Sequence, residues 1–241
     1  MSALHWPQAW GPSINSELTL LARCGLHDRS RVLEVGCGKA RTARALLQRH
    51  PQARVVGIEP NATWVEGNSR RPQPGLTVLS GRGEALPFAA AEFDQVWMLK
   101  SLHHIPDPHA ALQEALRVLR PGGCLYVSEP VYAGELNELV RLYNDEGTIR
   151  ARAQDALDAL ASQSGLREQR WAFVQPVHFV DAQDFVRRML GEALARCDAA
   201  GAQALQARVQ AAYAPYQRVD GAHFVRPMLA RAFHKTDQET P

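Results

Sequence analysis

The chain lacks the features that mark several protein classes. Its 241 residues include four cysteines, Cys24, Cys37, Cys124 and Cys197. No two of them form a C-x-x-C pair, which removes the spacing of zinc knuckles and thioredoxin-like redox sites. Such sparse cysteine usage suits a reducing, cytoplasmic setting. Neither sign of charge is in excess. Lys and Arg number 27 against 25 Asp and Glu, a formal net charge of +2, so the balance gives no support to a dedicated nucleic-acid or membrane-surface protein. No uncharged apolar run reaches about 18 residues, so a membrane span is not expected. The opening MSALHWPQAWGPS has no basic start and no long apolar stretch, so a signal peptide is not expected either. There is no internal repeat and no low-complexity tract. Apart from the pair His103-His104, the histidines stand singly, and no metal site is expected.

What is present reads as an ordinary globular chain, with 46% hydrophobic and 22% charged residues. The length suits one α/β domain with an appended lid. The first half alternates short apolar runs with amphipathic stretches. Strands are predicted at 31–36 (RVLEVG), 54–59 (RVVGIE), 76–81 (LTVLSG), 93–99 (FDQVWML) and 124–130 (CLYVSEP). Helices are predicted at 13–26, with Ser13 or Ser16 as cap, at 40–50, at 62–71, and at 107–120 before Pro121-Gly122-Gly123. In the second half, 134–169 reads as helical and Ala-rich, 171–180 as a strand and 181–217 as helix. The run 222–235 reads as a closing edge strand, because Pro227 cannot donate to a ladder. The expected fold is an α/β, mostly parallel sheet flanked by helices, with a helical insertion after the fifth strand. We read one domain over 1–241, with a core at 27–132, an insertion at about 133–170, and the remaining strands and helices at 171–236.

The first strand runs directly into Gly36-Cys37-Gly38 and then a helix. Glycines at such a junction let the backbone turn tightly and approach a ligand closely, and the helix start offers free N–H groups. A strand-turn-helix junction needs glycine in any case, so the loop alone does not decide for a ligand. Two acids add to it. Glu34 sits inside the apolar strand, where a buried carboxylate needs a partner, either a loop N–H or a cationic ligand. Glu59 ends the second strand, 21 residues after Gly38. It either caps the next helix or accepts from the two hydroxyls of a ribose. A dinucleotide fingerprint would require a small residue at Arg41. A carboxylate beside the loop also suits an ammonium or sulfonium better than a pyrophosphate.

Four blocks in order, VLEVGCGKA (32–40), VVGIEPN (55–61), GRGEALPFAAAEFDQVWMLKSLHHIPD (81–107) and LRVLRPGGCLYVSEP (116–130), resemble the class I S-adenosylmethionine-dependent methyltransferases, in particular the methyltransferase domain 11, UbiE-like group. The resemblance implies a Rossmann-like fold and S-adenosylmethionine as cofactor. It places Glu34, Gly36 and Gly38 under the methionine part, with Cys37 between them. Glu59 then holds the ribose hydroxyls and Pro60 lies beside the adenine. Gly83 and Glu84 fall in the adenine-edge loop, Met98 and Leu99 at the methionine end, and His103 and His104 near the acceptor. Two positions depart from the family pattern. Ala40 stands where a third glycine is common, a small change. Arg82 stands where an acid is common and cannot accept from the adenine amino group, so Glu84 or a backbone carbonyl must do so.

Methyl transfer from a sulfonium needs proximity and alignment above all, and a base only when the acceptor must lose a proton early. His103 and His104 are the base candidates, since histidine titrates near neutrality; each could instead pack or position the adjacent loop. Glu129 and Tyr132 could face the acceptor, while Cys37 reads as small filler. Trp171, Phe173, His178 and Phe179 either line an acceptor pocket or pack in the core. Arg141, Arg150, Arg152 and Arg167 read as a solvated face. The expected activity is methyl transfer to a small-molecule acceptor. An RNA or protein methyltransferase is the alternative, disfavoured because Leu99-Lys100-Ser101-Leu102 replaces the N-P-P-Y-type tetrapeptide. A non-catalytic adenosyl-binding module is a third reading. The acceptor and the oligomeric state are not fixed by the sequence.

Overall fold

The computed structural model describes residues 17–236. The apolar runs form parallel strands β1 (Arg31–Val35), β2 (Arg54–Glu59), β3 (Leu76–Ser80), β4 (Phe93–Leu99) and β5 (Leu119–Pro130). Their continuous hydrophobic character follows from cover on both faces. Successive residues point to opposite sides. Val32 joins a cluster with helices α1 (Glu17–Arg23) and α2 (Arg41–Arg49), whereas Leu33 and Val35 join one with α4 (Pro108–Val118) and α6 (Gly147–Ala161). Helix α2 turns Ala43, Leu46 and Leu47 to the sheet, the spacing of one helical face. Burial of each leucine contributes about 1.5–3 kcal/mol. Helix α3 (Ala62–Ser69) starts at Asn61, whose side chain accepts from Thr63 N and Trp64 N at 3.0 and 3.2 Å. Helix α4 starts at Asp107, which accepts from Ala110 N at 3.0 Å, with Pro108 in the first turn.

Two more strands, β6 (Leu166–Phe179) and β7 (Ala222–Lys235), complete a seven-stranded sheet in the order β3-β2-β1-β4-β5-β7-β6, with β7 antiparallel to both neighbours. The mostly parallel α/β class predicted from the strand pattern is the one observed. The placement of the last strand is not. β7 lies between β5 and β6, and β6 forms the edge. Pro227 lies where the β5–β7 ladder runs out: β5 pairs with β7 only as far as Met228, and beyond it Val131 N donates to Pro227 O at 2.9 Å, a contact that asks no N–H of the proline. The helical reading of 134–169 also runs too far. Helices α5 (Glu135–Arg141) and α6 stop at Ala161, and β6 begins at Leu166. The stretch 181–217 is three helices, α7 (Ala182–Met189), α8 (Gly191–Leu194) and α9 (Ala199–Tyr213), followed by a single 3-10 turn. Helix α4 ends at Val118, ahead of Pro121. The expected caps Ser13 and Ser16 lie outside the described residues.

Where β6 and β7 outrun β5, their projecting end carries a separate apolar cluster. Phe179 and Phe224 pack there with Leu136, Leu139, Phe185, Val209 and Tyr213 from α5, α7 and α9. This cap stands over the carboxyl ends of the parallel strands, the usual ligand crevice of an open α/β sheet. No helix among the described residues is long and apolar enough to cross a membrane.

Candidate active site

The glycine loop leaves β1 through alternating left-handed residues, Gly36 at φ 71°, Gly38 at φ 53° and Ala40 at φ 50°. At Gly36 the reason is also steric, since a Cβ there would lie 2.5 Å from Ser101 Cβ. Ser101 in turn donates its hydroxyl to Val35 O at 2.7 Å, tying the end of β4 to the loop. Gly36 N and Cys37 N donate to Ile58 O at 2.8 and 3.1 Å. The Glu59 carboxylate completes the brace. One oxygen accepts from Gly38 N at 2.7 Å and the other from Asn61 N at 2.9 Å. Asn61, not Glu59, caps α3, so the simple capping role is filled by a different residue.

Beside this loop lies a cavity of about 450 Å³. Of the residues the sequence proposed for cofactor binding, Gly36, Glu59, Pro60, Gly83 and Glu84 line it. Gly83 is close-packed: a Cβ there would meet Ile105 Cδ1 at 2.9 Å and Val35 Cγ1 at 3.0 Å. Cys37, Gly38, Glu34, Met98 and Leu99 stand behind the wall. Cys37 fills the space under Gly57, where a Cβ would lie 2.5 Å from its sulfur, and burial pushes its thiol up, out of reach of ionisation at neutral pH. Met98 and Leu99 are buried in the two hydrophobic clusters on opposite faces of the sheet. The residues that reach the cavity from β4 are the next two, Lys100 and Ser101. Lys100 is held at φ 57° with its N–H donating to Ser128 O at 2.7 Å.

Glu34 is buried at 4% exposure, and its Oε2 has no hydrogen-bond partner among the described residues. Desolvation lifts its carboxyl to about 8, opposed by the Ala43 backbone and by Lys100. The sequence pattern asked what partner satisfies this acid; one of its oxygens has none among the described residues.

A second cavity of about 210 Å³ opens beneath the cap. It shares Lys100 and His104 with the first. The two candidate histidines differ sharply here. His103 is buried at 4% exposure, with Nδ1 bonded to Glu129, whose other oxygen accepts from Leu102 N at 2.9 Å. His104 lies against it with ring centroids 3.9 Å apart and the planes tilted by 44°, and is open to both cavities. Protein packed around the rest of its ring, then His103, pulls His104 below the ordinary histidine value. Ligand-type atoms of His103, His104 and Glu146 lie within 4.8 Å of one another, a grouping the sequence did not signal. Glu146 is already held by Arg150 Nε at 2.9 Å and Asn144 Nδ2 at 2.8 Å. A metal would have to displace that guanidinium, so we read the group as an ion-pair cluster.

Other sequence candidates resolve plainly. Tyr132 bonds Asp145 and packs on Arg141 rather than lining either cavity. Glu129 lies under His103. Phe173 and Phe179 are core residues, Trp171 packs against the core, and His178 bonds Asp220 O at 2.8 Å. Arg150 leaves the solvated face assigned to it and lines the second cavity. Trp64, Asn61, Ser101, Lys100 and Arg226 went unnoticed as site residues. Lys100 and Ser101 stood in the tetrapeptide position the sequence marked and Asn61 in the VVGIEPN block, while the structure leaves the Trp64 indole 38% exposed.

A family profile described as a methyltransferase domain matches residues 33–127. The chain is also 30% identical over 194 residues to a malonyl-[acyl-carrier protein] O-methyltransferase from Enterobacter lignolyticus, covering 79% of this chain and 75% of that protein. The chain belongs to the class I S-adenosylmethionine-dependent methyltransferases. Among other members, the methyltransferase is 30% identical over 186 residues to the 27-O-demethylrifamycin SV methyltransferase of Amycolatopsis mediterranei, covering 73% of this chain and 65% of that one. It is 35% identical over 111 residues to a trans-aconitate 2-methyltransferase from an Azoarcus species, where the match spans 43% of the relative's length. In fold, it is similar to the YcgJ protein of Bacillus subtilis, with a TM-score of 0.64 at 19% identity over 91% of this chain and 97% of that one. The [4+2]-cyclase SpnF is also similar, with a TM-score of 0.59 at 20% identity over 90% and 80%. The methyl donor of this family is S-adenosylmethionine, and its seven-stranded sheet is the one built here.

Proposed function

We propose that the protein transfers the methyl group of S-adenosylmethionine to a small-molecule acceptor held in the cavity beneath the cap. The observation that carries this reading is the pair of adjoining cavities with Lys100 and His104 in the wall common to both. A donor in one and an acceptor in the other can meet only at that wall, which is the proximity the chemistry needs.

The residues present fit an adenosyl ligand. Glu59 uses one lone pair of each oxygen on a backbone N–H, which leaves acceptor capacity for two ribose hydroxyls. Pro60, Gly83 and Glu84 offer a flat apolar surface, a close backbone approach and an acceptor along the same cavity. The buried Glu34, whose Oε2 has no partner among the described residues, stands behind the glycine loop; burial favours its protonated form, and a cationic ligand beside the loop would draw it toward the carboxylate. When bound, S-adenosylmethionine supplies the sulfonium-activated methyl group. His104, with its lowered proton affinity, is neutral at pH 7 and able to accept an acceptor proton. The buried Glu129–His103 pair holds the ring against which His104 rests.

The test is an acceptor screen read by formation of S-adenosylhomocysteine, alongside calorimetry with S-adenosylmethionine. Binding and turnover with at least one small molecule support the reading. No binding of the cofactor sinks it. Because the cyclase SpnF shares the fold, binding without transfer across a broad panel would favour a non-methylating role. Tight, salt-sensitive binding of RNA would shift the acceptor to a nucleic acid.

A further inference from the structure

We infer that the acceptor carries a carboxylate, anchored by Arg226; this rests on the reading of the 210 Å³ cavity as the acceptor site. Three cationic side chains line that cavity, and two of them are already matched. Lys100 lies 3.5 Å from Glu17, and Arg150 is bound to Glu146. Arg226 is the one left over. Among the described residues its guanidinium has neither a carboxylate within ion-pair distance nor a hydrogen-bond acceptor, although it is only partly exposed. Burial and the neighbouring Arg150 both weaken its hold on its proton, as expected of a cation short of a counter-charge. A desolvated charge left unpaired is costly.

The neutral groups around it tell the same story independently. Asn137 Nδ2 and Tyr143 Oη are buried without a hydrogen-bond partner among the described residues, and both residues line the same cavity. The Asn137 amide cannot be turned round to relieve this, because its Oδ1 accepts from Arg150 Nη1 at 3.2 Å. The Arg226 guanidinium and the Asn137 amide nitrogen, which can only donate, thus lack acceptors in one small enclosure, and the Tyr143 hydroxyl beside them has a proton free to donate as well. What satisfies such a set is a compact oxyanion, and a planar guanidinium matches a carboxylate two bonds at a time. Arg226 owes its place to the tertiary fold. It sits on the stretch of β7 beyond the end of β5, next to Pro227, so its side chain has no strand partner on that flank.

The experiment titrates the protein, with and without S-adenosylhomocysteine, with acetate, succinate, citrate and benzoate, their amides, and inorganic phosphate, by calorimetry and thermal melting. The inference expects at least one carboxylate to bind and to raise the melting temperature, its amide to fail, and R226Q to weaken binding tenfold or more. R226Q should melt no lower than the wild type, since an unmatched charge is removed. If R226Q does not fold, Tyr143→Phe and Asn137→Leu replace it, each expected to weaken the same carboxylate several-fold. No carboxylate binding, equal binding of acid and amide, equal binding by the variants, or phosphate binding more tightly than every carboxylate each overturns it. Failure of S-adenosylhomocysteine to bind overturns the methyltransferase reading instead, and the titration without it still decides the anion question.

Discussion

Replacing Glu59 by alanine removes the two acceptors that hold Gly38 N and Asn61 N at 2.7 and 2.9 Å. Each charged hydrogen bond contributes about 1.5–3 kcal/mol to stability. If the same carboxylate also accepts from a ribose, cofactor affinity falls by about 1–3 kcal/mol, roughly 5- to 140-fold. Loss of the loop brace would also weaken binding, so affinity alone does not separate the two roles. A pair of ligands does. Calorimetry is run with adenosine and its ribose-dideoxy analogue on wild type and Glu59→Ala. The wild type should prefer the ribose with its hydroxyls, and the variant should lose that preference, whatever the brace costs both ligands alike. An equal loss for both ligands would refute the ribose contact and leave Glu59 as a brace only.

Three further outcomes follow from the same geometry. Gly36→Ala places a Cβ 2.5 Å from Ser101 Cβ at φ 71°; it should cost about 1–3 kcal/mol in denaturant unfolding, and less in a Ser101→Gly background, whereas no change would remove the steric argument. Glu34 holds its proton more tightly folded, at about 8, than unfolded, at 4.5. Its contribution to stability is therefore full below pH 4.5 and lost as pH rises through 8. Glu34→Gln should flatten that loss between pH 5 and 9, and an unaltered pH profile would contradict the burial. With an identified acceptor, His104→Ala should lower kcat about 10²- to 10⁴-fold at unchanged cofactor affinity. Wild-type kcat/KM should fall toward acid pH with its midpoint below 6.5, because burial depresses the imidazole from 6.5; a midpoint above 6.5 would contradict this role for His104.

The parallel strands, the glycine loop and the acids at 34 and 59 were legible in the chain alone. These are local signals. A two-faced apolar run, a turn that needs positive φ, and a carboxylate inside a strand are each written in a few consecutive residues. The pattern also pointed to Met98 and Leu99, but their side chains are taken up by the core on either face, and the cavity is reached by Lys100 and Ser101 just beyond. Nor did it separate His103 from His104. Adjacent residues look alike in a sequence, while one is locked to Glu129, 26 residues away, and its neighbour faces the ligand space. The place of β7 between β5 and β6, and with it the position of Arg226, depended on strand pairing across the whole chain. Local chemistry thus wrote the loop and the acids that build the first cavity and its surroundings. The second cavity gathers residues from 100 to 227, its unmatched donors from 137, 143 and 226, and only the folded sheet brings those together.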